Sequence, residues 1–183
     1  DYAQYYPWIL TDCPIKAEGF VQPYADSPLD KENIGEHVYL QVINGASRYL
    51  YISTPYLIID ESMMSALCLA AKGGVDVRII TPHKCDNRFV HMTTRSYYRD
   101  LMASGVRIYE YTCGFIHSKT MVADDTVATV GTTNLDFRSL YLNFECGALM
   151  YRTEAVAQLK EDFLQTLDRC QEISEADCRC GVI

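Results

Sequence analysis

The chain has 183 residues, enough for one domain with a buried core, and 49% of them are apolar against 22% charged. Its net charge of −8 and pI of about 4.9 argue against a non-specific duplex-DNA binder, which carries a basic surface, but leave room for a small basic pocket around one phosphate. No apolar run reaches the ~18 residues of a membrane-spanning helix, and no signal peptide is visible.

Residues 1–30 are irregular and rich in aromatics and proline (Tyr2, Tyr5, Tyr6, Trp8, Pro14, Pro23, Pro28) and read as an extension packed across the domain. The domain proper is expected over 31–172. A helix from Asp30 to Ser47, with Asp30 as N-cap, follows from the spacing of Ile34, Val38, Val42 and Ala46. The β-branched and aromatic run from Tyr49 predicts a strand ending near Pro55. Asp60 caps a helix through Lys72, and Gly73-Gly74 stops it. Val75–Thr81 is a second strand, 87–104 a helix closed by Gly105, and Val106–Tyr111 a third strand. This alternation predicts βαβ units, a mixed but largely parallel sheet, and helices on both faces. Two short strands follow, His117–Ala123 and Thr126–Gly131, then a strand over Phe144–Arg152. Thr153 is expected to cap an amphipathic helix to Arg169 that presents Val156, Leu159, Phe163 and Leu167. The tail, 173–183, is polar and expected to fray.

The eight cysteines are scattered without a CxxC pair and read as reduced thiols of a cytosolic domain. His83, Cys85 and His91 match none of the usual zinc-ligand spacings, so no metal is expected.

The stretch Phe115–Asn134 carries the chemistry. Its polar residues are spaced H-x-K-x4-D-x6-G-T-x-N: His117, Lys119, Asp124, Gly131, Thr132 and Asn134. Residues two apart on a strand share a face, so His117 and Lys119 point the same way, and an imidazole with an ammonium suits a tetrahedral phosphate. A two-residue turn at Asp124-Asp125 would pair Ala123 with Thr126, Lys119 with Val130 and His117 with Thr132. That register gathers His117, Lys119, Thr132 and Asn134 at one end of a hairpin, and a one-residue slip would alter it. Asp124 falls on the other parity, at the turn, where a carboxylate holds the turn or a neighbouring strand.

This spacing resembles the signature of the phospholipase D superfamily, and every position of it is present. Gln22–Asp30, Ile52–Asp60, Gly74–Pro82 and Asn134–Ser139 extend the likeness, over roughly 20–172, to the C-terminal half of bacterial cardiolipin synthases. The resemblance implies an α/β/α sandwich and phosphoryl transfer through a phosphohistidine. It implies His117 as nucleophile or, alternatively, as its general acid–base partner, with Asp124 in the catalytic motif. Lys119, Thr132 and Asn134 would bind the phosphate, and Glu145 would hold the imidazole's other nitrogen. No cofactor is implied. The substrate class would be phosphatidylglycerol or another anionic phospholipid, with no nucleic acid. The family builds one site from two such motifs, and this chain has one. An N-terminal half or a second chain would complete the site. Together with the start at Asp1, this suggests a piece of a longer protein held at the bacterial cell membrane, its catalytic domain cytoplasmic.

Overall fold

A computed structural model describes residues 18–179 apart from Asp30 and Cys85. The aromatic cluster Tyr2, Tyr5, Tyr6 and Trp8, and the expected N-cap Asp30, lie outside the described residues. The chain opens with β1 (Phe20–Asp26), α1 (Ile34–Gly45), β2 (Tyr49–Ser53), the two-residue β3 (Leu57–Ile58) and α2 (Glu61–Lys72). It continues through β4 (Asp76–Pro82), α3 (Arg88–Ala103), β5 (Arg107–Tyr111), β6 (Thr120–Ala123) and β7 (Val127–Gly131). The last part comprises β8 (Leu135–Asp136), α4 (Phe137–Tyr141), β9 (Glu145–Tyr151), α5 (Glu154–Leu167), β10 (Cys170–Glu172) and α6 (Glu175–Arg179).

Caps set several boundaries. Asp60 accepts from Met63 N at 2.8 Å and starts α2, and Asn87 accepts from Phe89 N and Val90 N to start α3. Thr153 stands before α5 but makes no capping bond, and its buried hydroxyl has no partner among the described residues.

Eight strands form one sheet in the order β1-β9-β7-β6-β2-β4-β5-β10, with β3 and β8 paired separately. The expected sheet is mixed, as found, but its parallel part is confined to β2-β4-β5; the other pairings along it are antiparallel. In the second half of the chain a tight hairpin makes β6 and β7 antiparallel, and β9 and β10 run against the strands they join, β7 and β1 for the one and β5 for the other. Part of the expected N-terminal extension is a strand: β1 pairs along its length with β9. Pro23 within it disguised the strand, and an edge position tolerates the missing N–H. The tail is also ordered through α6. Ile173 is buried and donates its N–H to Ile108 O, after β10 has paired with β5.

Strand alternation builds two cores. Leu50, Ile52, Ile79, Ile108 and Met121 face α1, α2 and α3, with Ile43, Leu67 and Leu101 among their neighbours. Tyr49, Tyr51, Ile80, Tyr109 and Val122 face the other way and are covered by Val156 and Phe163 of α5. Helices therefore lie on both faces of the sheet, as the sequence predicts. Cys68, Cys113, Cys146, Cys170 and Cys178 are free thiols.

Candidate active site

The site is built on the β6–β7 hairpin, and its turn is one residue longer than expected. Asp124 and Asp125 both take left-handed backbone, with φ of 56° and 60°, a conformation aspartate tolerates better than most residues. Thr126 is drawn into the turn through its N–H to Ala123 O, and Ala123 then pairs with Val127. The predicted register is therefore slipped by one. Gly131 N, in place of the Val130 partner, meets Lys119 O at 3.3 Å, and the strand expected from His117 begins only at Thr120, leaving both His117 and Lys119 just before it.

The slip leaves the gathering of residues intact. His117, Lys119, Val130, Gly131, Thr132 and Asn134 line one open groove of about 480 Å³ at this end of the hairpin. Lys119 Nζ lies 3.0 Å from His117 Nδ1 and 2.6 Å from His117 O, so both side chains share one side. An ammonium only donates, so Nδ1 is the acceptor here, and a neutral ring carries its hydrogen on Nε2. Burial lowers the pKa of Lys119 from its ordinary value, against the opposing pull of the Glu145 and Asp136 carboxylates. Both carboxylates are buried. Phe115 and Tyr56 flank the imidazole, with ring centroids 5.5 and 6.5 Å from it.

Gly131 has a steric reason. A Cβ there would meet Cys146 O at 2.5 Å and Gly147 Cα at 2.8 Å, so only glycine lets β7 lie this close to β9. Asn134 binds Ser139 Oγ through Nδ2 at 2.9 Å, while Oδ1 is buried without a partner among the described residues. One end of this amide is thus held and the other is unsatisfied inside the site.

Asp124 sits at the opposite end of β6 from His117. One carboxylate oxygen accepts from Ser47 N and Ser47 Oγ, the other from Arg48 N and Tyr49 N, at 2.7–3.0 Å. It ties the hairpin turn to the start of β2. Burial raises its pKa, but the bonds from Tyr49, Ser47 and Arg48 outweigh this, and the net shift is downward.

Two expected contacts differ. Thr132 Oγ1 accepts from Cys146 N at 2.9 Å and donates to Cys146 O at 3.3 Å, so the hydroxyl is committed to β9 instead of the groove. Glu145 is 8% exposed and takes Asn143 Nδ2 at 3.2 Å; it makes no hydrogen bond to His117, whose Nδ1 faces Lys119. Sequence reasoning missed Asp136 and Tyr56. The signal for Asp136 was its place three residues before Ser139, whose N–H it accepts at 2.8 Å to cap α4. Among the described residues no cluster of ligating side chains suits a metal ion, and no helix is long and apolar enough to cross a membrane.

Comparison with known proteins bears on the family and the fold. The family described as "Cardiolipin synthase, PLD-like domain" matches residues 39–167. An uncharacterized protein of Streptococcus mutans is 48% identical over 162 residues, covering 88% of this chain and 35% of that protein. A cardiolipin synthase of Halalkalibacterium halodurans is 42% identical over 159 residues, covering 87% of this chain and 32% of the relative. The chain thus spans about a third of the length of these relatives. Among solved structures, Nuc of Salmonella typhimurium, a phospholipase D family member, superposes with a TM-score of 0.72 at 18% identity, covering 86% of this chain and 100% of that one.

Proposed function

The chain belongs to the cardiolipin synthase, phospholipase D-like domain family, and from that premise we propose that it is the C-terminal catalytic half of a cardiolipin synthase. The observation that carries the reading is the convergence of His117, Lys119 and Asn134 on one groove with a single imidazole. The reaction is phosphatidyl transfer between two phosphatidylglycerol molecules. One imidazole attacks the phosphorus of the first lipid, forming a P–N bond as the P–O bond to the terminal glycerol breaks. The departing glycerol takes a proton from the second imidazole, which lies on the other half of the site. A hydroxyl of the second lipid, giving its proton back to that imidazole, then attacks the phosphorus. The P–N bond breaks, and cardiolipin and glycerol are the products. His117 supplies one of the two imidazoles.

Lys119 and Asn134 stabilise the charge on the phosphoryl oxygens. Lys119 now spends its donors on His117; on phosphate binding it turns to the oxygens and releases Nδ1. The ring then changes tautomer: Nδ1 takes a proton from solvent as Nε2 gives its own up to solvent, so Nδ1–H donates to buried Glu145 and Nε2 is left with the reactive lone pair. Asn134 turns its unpartnered end, through an amide flip, into an N–H donor aimed at the phosphate. Asp124 holds the hairpin and takes no part in the chemistry.

The test is the full-length protein with short-chain phosphatidylglycerol, quenched during turnover. A phosphatidyl adduct on His117 makes it the nucleophile. An adduct on the second motif's histidine, with activity lost in His117→Ala, makes His117 the acid–base partner. Full activity in His117→Ala contradicts the proposal. A second reading, a homodimeric phosphodiesterase of the same superfamily, draws support from the solved Nuc chain, which this fold covers completely. It requires a tight two-fold dimer in solution with the His117 residues facing each other.

A further inference from the structure

The N-terminal part of α3 presents large apolar side chains to solvent where the core gives no reason for them. Thr94, Tyr98 and Leu101 are the buried residues of this helix. At 100° per residue, Phe89 and Met92 point almost directly away from that buried stripe. They are 81% and 57% exposed. Basic residues surround them. Lys84 and Arg88 precede the helix or open it, both exposed, and exposed Arg99 lies two turns on from Met92 on the same side. At the tip itself one carboxylate, Asp86, interrupts the group, and it is turned onto Tyr56 OH and Asn87 N; further along, Arg99 stands beside exposed Asp100 and shares a cavity with Glu175. In a chain of net charge −8, Lys84 and Arg88 with Asp86 turned away make the tip a local reversal of sign.

The same tip adjoins the candidate site. Tyr56, Ile58, Val90 and Phe137 give a groove of about 410 Å³ between α3 and α4 its apolar lining, and Arg138, Asp86 and Asp136 its charged one. Tyr56 closes one end of it and also packs against the His117 ring.

We propose that the Arg88–Met92 tip of α3, with Lys84 before it, docks on an anionic bilayer surface, with Phe89 and Met92 seated among the acyl chains and Lys84 and Arg88 against the headgroups. The groove past Tyr56 then gives a lipid still anchored in the bilayer a route to His117. This rests on the phospholipid reading of the site. Charge complementarity decides the occupant: exposed phenylalanine and methionine fit any apolar partner, but flanking lysine and arginine select an anionic surface. The overall negative charge opposes binding only within about 8–10 Å of screened reach at physiological salt, so a protruding tip can still engage.

The test is sedimentation of the chain with vesicles of phosphatidylglycerol and phosphatidylcholine, and with phosphatidylcholine alone. Binding is expected to the first and to weaken with added salt. Lys84→Gln and Arg88→Gln each reduce it about fivefold, the factor for ~1 kcal/mol per basic residue. Phe89→Ser with Met92→Ser reduces it at least tenfold, from lost burial on the order of one apolar side chain. These side chains are exposed, so the thermal melt stays unchanged and misfolding is separable. In a Trp8→Phe, Phe89→Trp variant, tryptophan emission shifts to the blue on anionic vesicles and is quenched by brominated lipid. His117→Ala retains binding, so a failure of the catalytic reading leaves this result intact. Absence of binding, equal binding to both vesicle types, or full binding by the serine variants overturns the proposal. An unmoved Phe89→Trp spectrum does the same and assigns the tip to a protein contact instead.

Discussion

Lys119 is held between a histidine and two buried carboxylates, and that position sets what it does. Its pKa is lowered, burial being the first cause, so the ammonium is lost at a lower pH than for an ordinary lysine. Transfer that depends on the ammonium therefore falls on the alkaline side below the usual lysine range. A pH profile of cardiolipin formation is expected to show this limb, and Lys119→Arg to move it upward. Lys119→Met is expected to reduce turnover by about 10²–10³, the scale for one charge-stabilising donor, without lowering the melting temperature. At this scale the sequence was informative because the two-residue spacing does bring His117 and Lys119 to one side, although both lie just before β6 and not on it. It was less so for Thr132 and Glu145. Whether a hydroxyl faces a groove or a neighbouring backbone depends on the approach of β9, which no local pattern encodes.

The β6–β7 hairpin is an element whose two ends have different tasks. One end gathers the polar site and the other, through Asp124 and Asp125, fastens the hairpin to its surroundings. Asp124 holds the residues that enter β2, while Asp125 pairs with Lys160 of α5 at 2.6 Å and with Arg48 at 2.8 Å. Asp124→Ala removes bonds from three backbone N–H groups and is expected to cost roughly 2–3 kcal/mol, read from urea unfolding. Both carboxyls have depressed folded-state pKa values, Asp125 at about 2 with Lys160 the first cause. Their contribution is complete above the ordinary aspartate range and is lost as pH falls toward 2. Acid unfolding of the wild type should steepen in that window, and less so in Asp124→Asn. Gly131→Ala must push β7 from β9 and is expected to cost about 1–3 kcal/mol, with loss of activity through displacement of Thr132 and Asn134. The hairpin was legible as an element, but its register was not. Two consecutive left-handed aspartates and the capture of Thr126 are decided by what the carboxylates bind across the fold. The same holds for β1, hidden by Pro23, and for β10, whose pairing with β5 is long-range.

The molecule as a whole divides into a well-covered sheet and an open end that carries the candidate site. Alternation in β2, β4, β5 and β6 made both helix-covered faces readable from the sequence, whereas the antiparallel half depended on long-range pairings, β1 with β9 and β10 with β5, that the alternation did not reveal. Exposed Phe115 stands beside His117, exposed Phe137 lines the adjoining groove, and the His117 groove is open. This suits a site that a second half covers. The isolated chain is accordingly expected to show no measurable transfer as a monomer, and mixing it with a half bearing a second H-x-K-x4-D motif to restore turnover. Efficient turnover by the monomer, established by light scattering under assay conditions, would refute the half-site account. The most direct measurement is cardiolipin formation from phosphatidylglycerol by the full-length protein carrying His117→Ala, with the melting temperature taken alongside. A fall of at least about a thousandfold at unchanged stability is predicted; undiminished cardiolipin formation would contradict the central claim that His117 carries the transfer.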